Sequence, residues 1–172
     1  WRSGTVAVDA GVPEMTGLST PTTVPRAADG RFTVRWAARD NVGVVRYQLR
    51  TRRATATTWS SSVQTTARSR ELGLGAGTWI VGVKARDAVG NWSAWRELTV
   101  VVPRDDRGWA FSAGTVRLTG SGYFRGTLTT TRRAGARMTV AFSGSAVYLV
   151  GPSGPGYGRM RVTVDGVSTI VD

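Results

Sequence analysis

Apolar and polar residues alternate with period two through most of this chain, which marks strands with one buried and one wet face. The segment 31–38, RFTVRWAA, places Phe32, Val34, Trp36 and Ala38 on one side and Thr33 and Arg35 on the other. In 45–50, VRYQLR, the residues Val45, Tyr47 and Leu49 oppose Arg46, Gln48 and Arg50. In 79–86, WIVGVKAR, the apolar set is Trp79, Val81, Val83 and Ala85, set against Ile80, Gly82, Lys84 and Arg86. Helix signals are almost missing, and Thr, Val, Gly and Arg dominate, as suits short strands joined by tight turns. Two sheets must close over each other to bury such faces, so the predicted class is all-β, built as a sandwich.

The pattern also echoes itself. WRSGTVAVD (1–9) matches WRELTVVVP (95–103) at Trp, Arg, Thr and two Val, an offset of 95 − 1 = 94 residues. That is about the length of one immunoglobulin-type sandwich, roughly 100 residues. Residues 1–10 therefore read as the last strand of a preceding repeat, and the chain as a cut from a longer tandem array. Residues 11–102 make one domain. PRDDRG (103–108) reads as a linker, because Pro103 ends strand pairing and the charged, turn-prone residues after it form no core. A second all-β pattern occupies 109–172, in GYFRGTLTTT (122–131), ARMTVAFSGSAVYLVG (136–151) and GRMRVTVDGVSTIV (158–171). Ser143-Gly144 and Asp165-Gly166 each separate two strand-like runs, and the Asp-Gly pair is a strong hairpin signal.

LGLGAGTWIVGVKARDAVGNWSAW (72–95) resembles the stretch from the E–F corner to the start of the G strand in bacterial fibronectin type III domains. Trp36 matches that family's core tryptophan. The resemblance covers 11–102 and implies an immunoglobulin-like sandwich. Trp79 stands where the family usually carries its corner tyrosine, so the phenolic hydroxyl that ties that corner is expected to be missing. The second region, at 134–166, resembles the central part of jelly-roll, galactose-binding-like modules appended to secreted bacterial glycoside hydrolases and cell-wall proteins. That family continues beyond its Val-Asp-Gly turn, whereas this sequence stops at Asp172, so the module is expected to be incomplete. The strand VSTIV (167–171) would then be a template for pairing with another chain.

Two tryptophans, Trp92 and Trp95, follow a strand carrying Lys84 and Arg86 on its outer face. Either they form an aromatic, basic ligand surface, or cations and rings hold each other. WSAWR also resembles the Trp-Ser-x-Trp-Ser motif of cytokine-receptor fibronectin domains, in which rings interleave with strand-borne arginines. The intramolecular ladder is the reading adopted, with Arg86 expected between Trp92 and Trp95. ARDNVG (38–43) and ARDAVG (85–90) are near copies at two connections that share one end of this fold. Asp40, Asn41, Asp87 and Asn91 could gather oxygens for Ca²⁺, but turn capping is the favoured role, and no metal site is assigned. Tyr123, Phe124 and Arg125 in a Gly-flanked loop, and Tyr157 in GPSGPGYG (151–158), are the candidate contacts for a sugar or an acidic polymer.

Charge and composition narrow the function. Of 23 basic residues 22 are arginine, against 11 acidic ones, for a net charge of +12. Such a field favours anionic partners; the Arg-rich composition also fits a GC-rich, actinobacterial genome. His and Cys are both absent, which excludes the common base and nucleophile pairs, disulfides and thiolate metal sites. Glu14, Glu71 and Glu97 are too scattered for a glycosidase pair. No cofactor is implied, and no apolar run reaches membrane-spanning length. The expected role is a non-catalytic accessory region of a secreted or cell-surface protein, binding or presenting at carbohydrate or anionic cell-envelope polymers. The rivals are a structural sandwich array that self-assembles through 167–171, and a charge-driven polyanion binder, with nucleic acid disfavoured as a partner.

Overall fold

The computed structural model describes residues 9–20, 31–143, 147, 149–152 and 154–171. The echo strand at 1–8 and the Ser143-Gly144 turn therefore fall wholly or partly outside the described residues. The chain divides into two compact units, one ending at Val140 and one beginning at Ala141.

In the first unit, seven strands build the sandwich: β1 (Glu14–Ser19), β2 (Arg31–Arg39), β3 (Val44–Arg53), β4 (Val63–Thr65), β5 (Ser69–Gly73), β6 (Gly77–Asp87) and β7 (Arg96–Val102). One antiparallel sheet runs β1-β2-β5 and the other β4-β3-β6-β7. The alternation read from the sequence supplies the core. Phe32, Val34 and Trp36 from β2, Tyr47 and Leu49 from β3, and Val81, Val83 and Ala85 from β6 are buried, closed off by Val100 and Val102 of β7. The Arg96 guanidinium ties the two sheets by donating to the Met15 carbonyl at 2.8 Å. This arrangement is an immunoglobulin-like, fibronectin type III sandwich.

Two local expectations are corrected. Val45 is 48% exposed, not in the core, because the β3–β6 register shifts between Val44 and Arg46 and leaves Val45 as the extra residue of a bulge. Val44 packs against the core in its place. The corner at Trp79 is tied after all: its indole N–H donates to the Gly75 carbonyl at 2.8 Å. An indole can do the work of the phenol because only one donor reaching a few residues upstream is needed.

After β7 the strands pair two by two. β8 (Ala110–Phe111) pairs β11 (Met138–Thr139), and β9 (Thr115–Thr119) pairs β10 (Thr127–Thr131). The stretch expected as a linker holds a short 3-10 turn at Asp106–Gly108, capped by Asp105. It is tied to the following hairpin, because the Asp106 carboxylate accepts from the Thr129 N–H at 3.1 Å and from Arg117 at 3.3 Å. In the second unit, β12 (Met160–Val164) and β13 (Val167–Val171) form a hairpin. Its turn has Asp165 at φ 49° and Gly166 at φ 84°, the paired positive values that a two-residue Asp-Gly turn demands.

Candidate functional site

The outer face of the β4-β3-β6-β7 sheet gathers the aromatic and basic side chains. Along β3, Arg46, Gln48, Arg50 and Arg52 point outward; along β6, Lys84 and Arg86 do. The segment after β6 is fastened by Ser93, which is buried and exchanges main-chain and side-chain hydrogen bonds with Ala85. The Ser93 N–H donates to the Ala85 carbonyl at 2.8 Å, and the Ala85 N–H donates to the Ser93 hydroxyl at 2.9 Å. With the serine turned inward, the tryptophans on either side, Trp92 and Trp95, lie back over the sheet.

Rings and cations then interleave across the face. The Lys84 ammonium lies 4.5 Å from the Trp92 centroid and 4.9 Å from that of Trp95. The Arg50 guanidinium sits 3.8 Å from Trp95 and 3.8 Å from Trp59, and Arg52 continues the row at 4.9 Å from Trp59. Arg86 reaches Trp92 alone, at 5.8 Å; the cation between Trp92 and Trp95 is Lys84, not Arg86. Gly82 makes room for the central stack. A β-carbon there would lie 3.3 Å from Arg50 Nε and 3.4 Å from the Trp95 ring, so any side chain would push ring and guanidinium off the sheet.

Arg50, Arg52 and Trp59 were missed in the sequence. Arg50 and Arg52 stood in the outward set of a strand, a signal that could have found them. Trp59 lies in the irregular stretch between β3 and β4, where no periodicity points to a face.

The two near-identical turns meet at one end of the sandwich. Asp40 accepts from the Val42 N–H at 3.0 Å. Asp87, 1% exposed, accepts with one oxygen from the N–H groups of Val89, Gly90 and Asn91 at 3.0, 2.6 and 2.8 Å. Its other oxygen accepts from the Asn91 amide at 2.9 Å, and that amide also donates to the Gly11 carbonyl at 2.8 Å. Burial works to raise the Asp87 pKa, but the backbone donors of Asn91, Gly90 and Val89 and the Asn91 amide together hold it below 3.8. Asp9, which the sequence reading did not single out, brings a third carboxylate to within 4.8 Å of Asp40 and Asp87. Each of these carboxylates accepts from the backbone of its own turn.

The remaining candidates are placed separately. Tyr123 precedes a 3-10 turn at Phe124–Gly126, in which Arg125 takes φ 53° and lies 5.7 Å from the Phe124 ring. All three are half-buried. Tyr157, 55% exposed, belongs to the second unit.

Comparison with solved structures finds similarity to a myokine, at 19% identity over 55% of this chain and 100% of that one, with a TM-score of 0.45. It also finds chitinase ChiA74 from Bacillus thuringiensis, at 22% identity over 62% of this chain and 16% of the chitinase, with a TM-score of 0.45. A fourth fibronectin type III domain, from human, is similar at 16% identity over 60% of this chain and 91% of that domain, with a TM-score of 0.44. No family model and no curated protein matches the chain.

Proposed function

We propose that this chain is a non-catalytic accessory region of a larger secreted or cell-wall-associated protein, holding that protein at carbohydrate or anionic envelope polymers. In this reading 11–102 is a spacer sandwich, and the strands after it belong to a jelly-roll, galactose-binding-like module. The observation that carries it is the engagement of the acidic side chains. Glu14 pairs with Arg39 at 2.7 Å, Glu71 with Arg31 at 2.9 Å and Glu97 with Arg50 at 3.5 Å, in three separate ion pairs. Asp87 is saturated with donors and held ionised, which suits a cap and not a proton donor. Among the described residues, no helix is long and apolar enough to cross a membrane.

A second reading, a self-assembling structural array, draws on the β12–β13 hairpin. Its register aligns Met160 with Val171 and Val164 with Val167 on one face, and Val167 is 73% exposed. A lone two-stranded hairpin is marginal in water.

Cosedimentation of the whole chain with insoluble cell-wall polymer and with chitin tests the proposal. The chain is expected in the pellet with at least one of them at physiological salt, with no reducing ends released. A chain that stays in the supernatant with both, or that hydrolyses either, contradicts it.

A further inference from the structure

The clad face carries more charge than its partners balance. Among the described residues Arg46, Arg52, Lys84 and Arg86 have no carboxylate within ion-pair distance, and Arg50 shares Glu97 only at 3.5 Å. The register places Arg46 directly opposite Arg86. Directly opposed side chains in an antiparallel pair start about 4.5–5.5 Å apart, and like charges there destabilise the sheet. Both use neutral acceptors: Arg46 donates to the Gln64 amide oxygen at 3.0 Å and Arg86 to the Gly90 carbonyl at 3.3 Å. Their positive charge is left for something else to neutralise.

The rings decide what that something is. Trp59, Trp92 and Trp95 each have two cations within about 6 Å of the centroid, the range of a cation–π contact. A neutral sugar or a nucleobase binds such a surface by stacking on a free ring, and here it would have to displace a guanidinium or the ammonium. An anion needs only the N–H donors that the stacked cations still turn outward. Guanidinium groups match phosphate with paired hydrogen bonds.

The geometry points to the outer face of β3 and β6 as the docking surface for a linear phosphodiester polyol of the poly(glycerol phosphate) type. One phosphate sits at the Arg46–Arg86 pair, and the polymer follows the ladder cations Lys84 and Arg50. This rests on the accessory role proposed above and specifies its ligand. Filling the Arg46–Arg86 site relieves the like-charge opposition, so occupancy stabilises the sandwich as well as holding the polymer.

The test compares the whole chain with Arg46→Gln/Arg86→Gln and with Arg35→Gln/Arg132→Gln, which lowers the net charge equally, from +12 to 12 − 2 = +10. Binding to synthetic poly(glycerol phosphate) is measured by calorimetry across a salt series, with chitin oligosaccharide and single-stranded DNA as further probes. Folding of each variant is checked by its denaturation midpoint, and Arg46→Gln alone, an exposed position without a ring contact, serves if the double variant unfolds. The face variant is expected to bind at least tenfold more weakly. Its slope of log affinity against log salt should be shallower by about 1.4, roughly 0.7 for each lost contact to a flexible chain. The control should bind nearly as wild type. Equal losses in both double variants would overturn the assignment of the face while leaving the accessory role standing. So would chitin binding that survives in the face variant, or DNA binding as tight as that of the polyol. Wild-type protein that binds the polyol not at all overturns this inference. If it also ignores cell-wall polymer and chitin, the accessory role fails with it.

Discussion

Trp95→Ala is expected to lower the stability of the sandwich by about 2–3 kcal/mol, less than the roughly 3–5 of a fully buried tryptophan but well above an ordinary surface change. Trp95 is half-buried over Gly82 and is the ring shared by Arg50 and Lys84. Its removal strips apolar cover from the stems of both cations as well as one ring face from each. Arg50 and Lys84 would then stand side by side on the sheet without the indole between them. A chemical denaturation midpoint lowered with unchanged slope is the predicted readout; an unchanged midpoint would show that the ring contributes little to the fold.

The second large effect concerns Asp87. Asp87→Asn is expected to destabilise the protein at neutral pH more than any other exchange of Asp for Asn among the turn residues. The ionised carboxylate accepts from three backbone N–H groups with one oxygen and from Asn91 with the other, whereas an amide presents a donor where an acceptor is required. Through Asn91 the loss spreads to Gly11, just ahead of β1. The pH dependence follows from the sign of the shift. The folded-state pKa lies below the ordinary 3.8, so the stabilisation is fully present above 3.8 and is lost as pH falls through the folded value. The stability gap between wild type and Asp87→Asn should be constant above about pH 5 and close progressively in stronger acid. Denaturation midpoints measured from neutral pH into the acid range check this. A gap independent of pH would contradict the role of the ionised carboxylate.

Much of the sandwich was legible because its strands are long and half-buried. In β2 and β6 every second side chain must be apolar, so the core positions Phe32, Val34, Trp36, Val81, Val83 and Ala85 could be read directly. Val45 misled because a bulge adds one residue without changing the local alternation. Lys84, Arg86, Trp92 and Trp95 could be proposed as neighbours because a single turn separates them. The other half of the row was hidden for the opposite reason. Arg50 reaches Trp95 only through the pairing of β3 with β6, and Trp59 comes from a loop, so no sequence distance brings them together. Asp9 joins Asp40 and Asp87 in the same way, from the segment before β1. After residue 103 the alternation marked strands such as β10, β12 and β13 but not their partners, since pairing is a property of the whole sheet and not of any one strand.

The central claim is that the cations and rings of this face hold each other. A double-mutant cycle on Arg50 and Trp95, whose guanidinium and ring centroid lie 3.8 Å apart, tests it most directly. Stability would be measured for Arg50→Ala, Trp95→Ala and the pair. The account predicts a favourable coupling of about 1 kcal/mol or more, so that the double variant loses distinctly less than the sum of the singles. Strict additivity would contradict it.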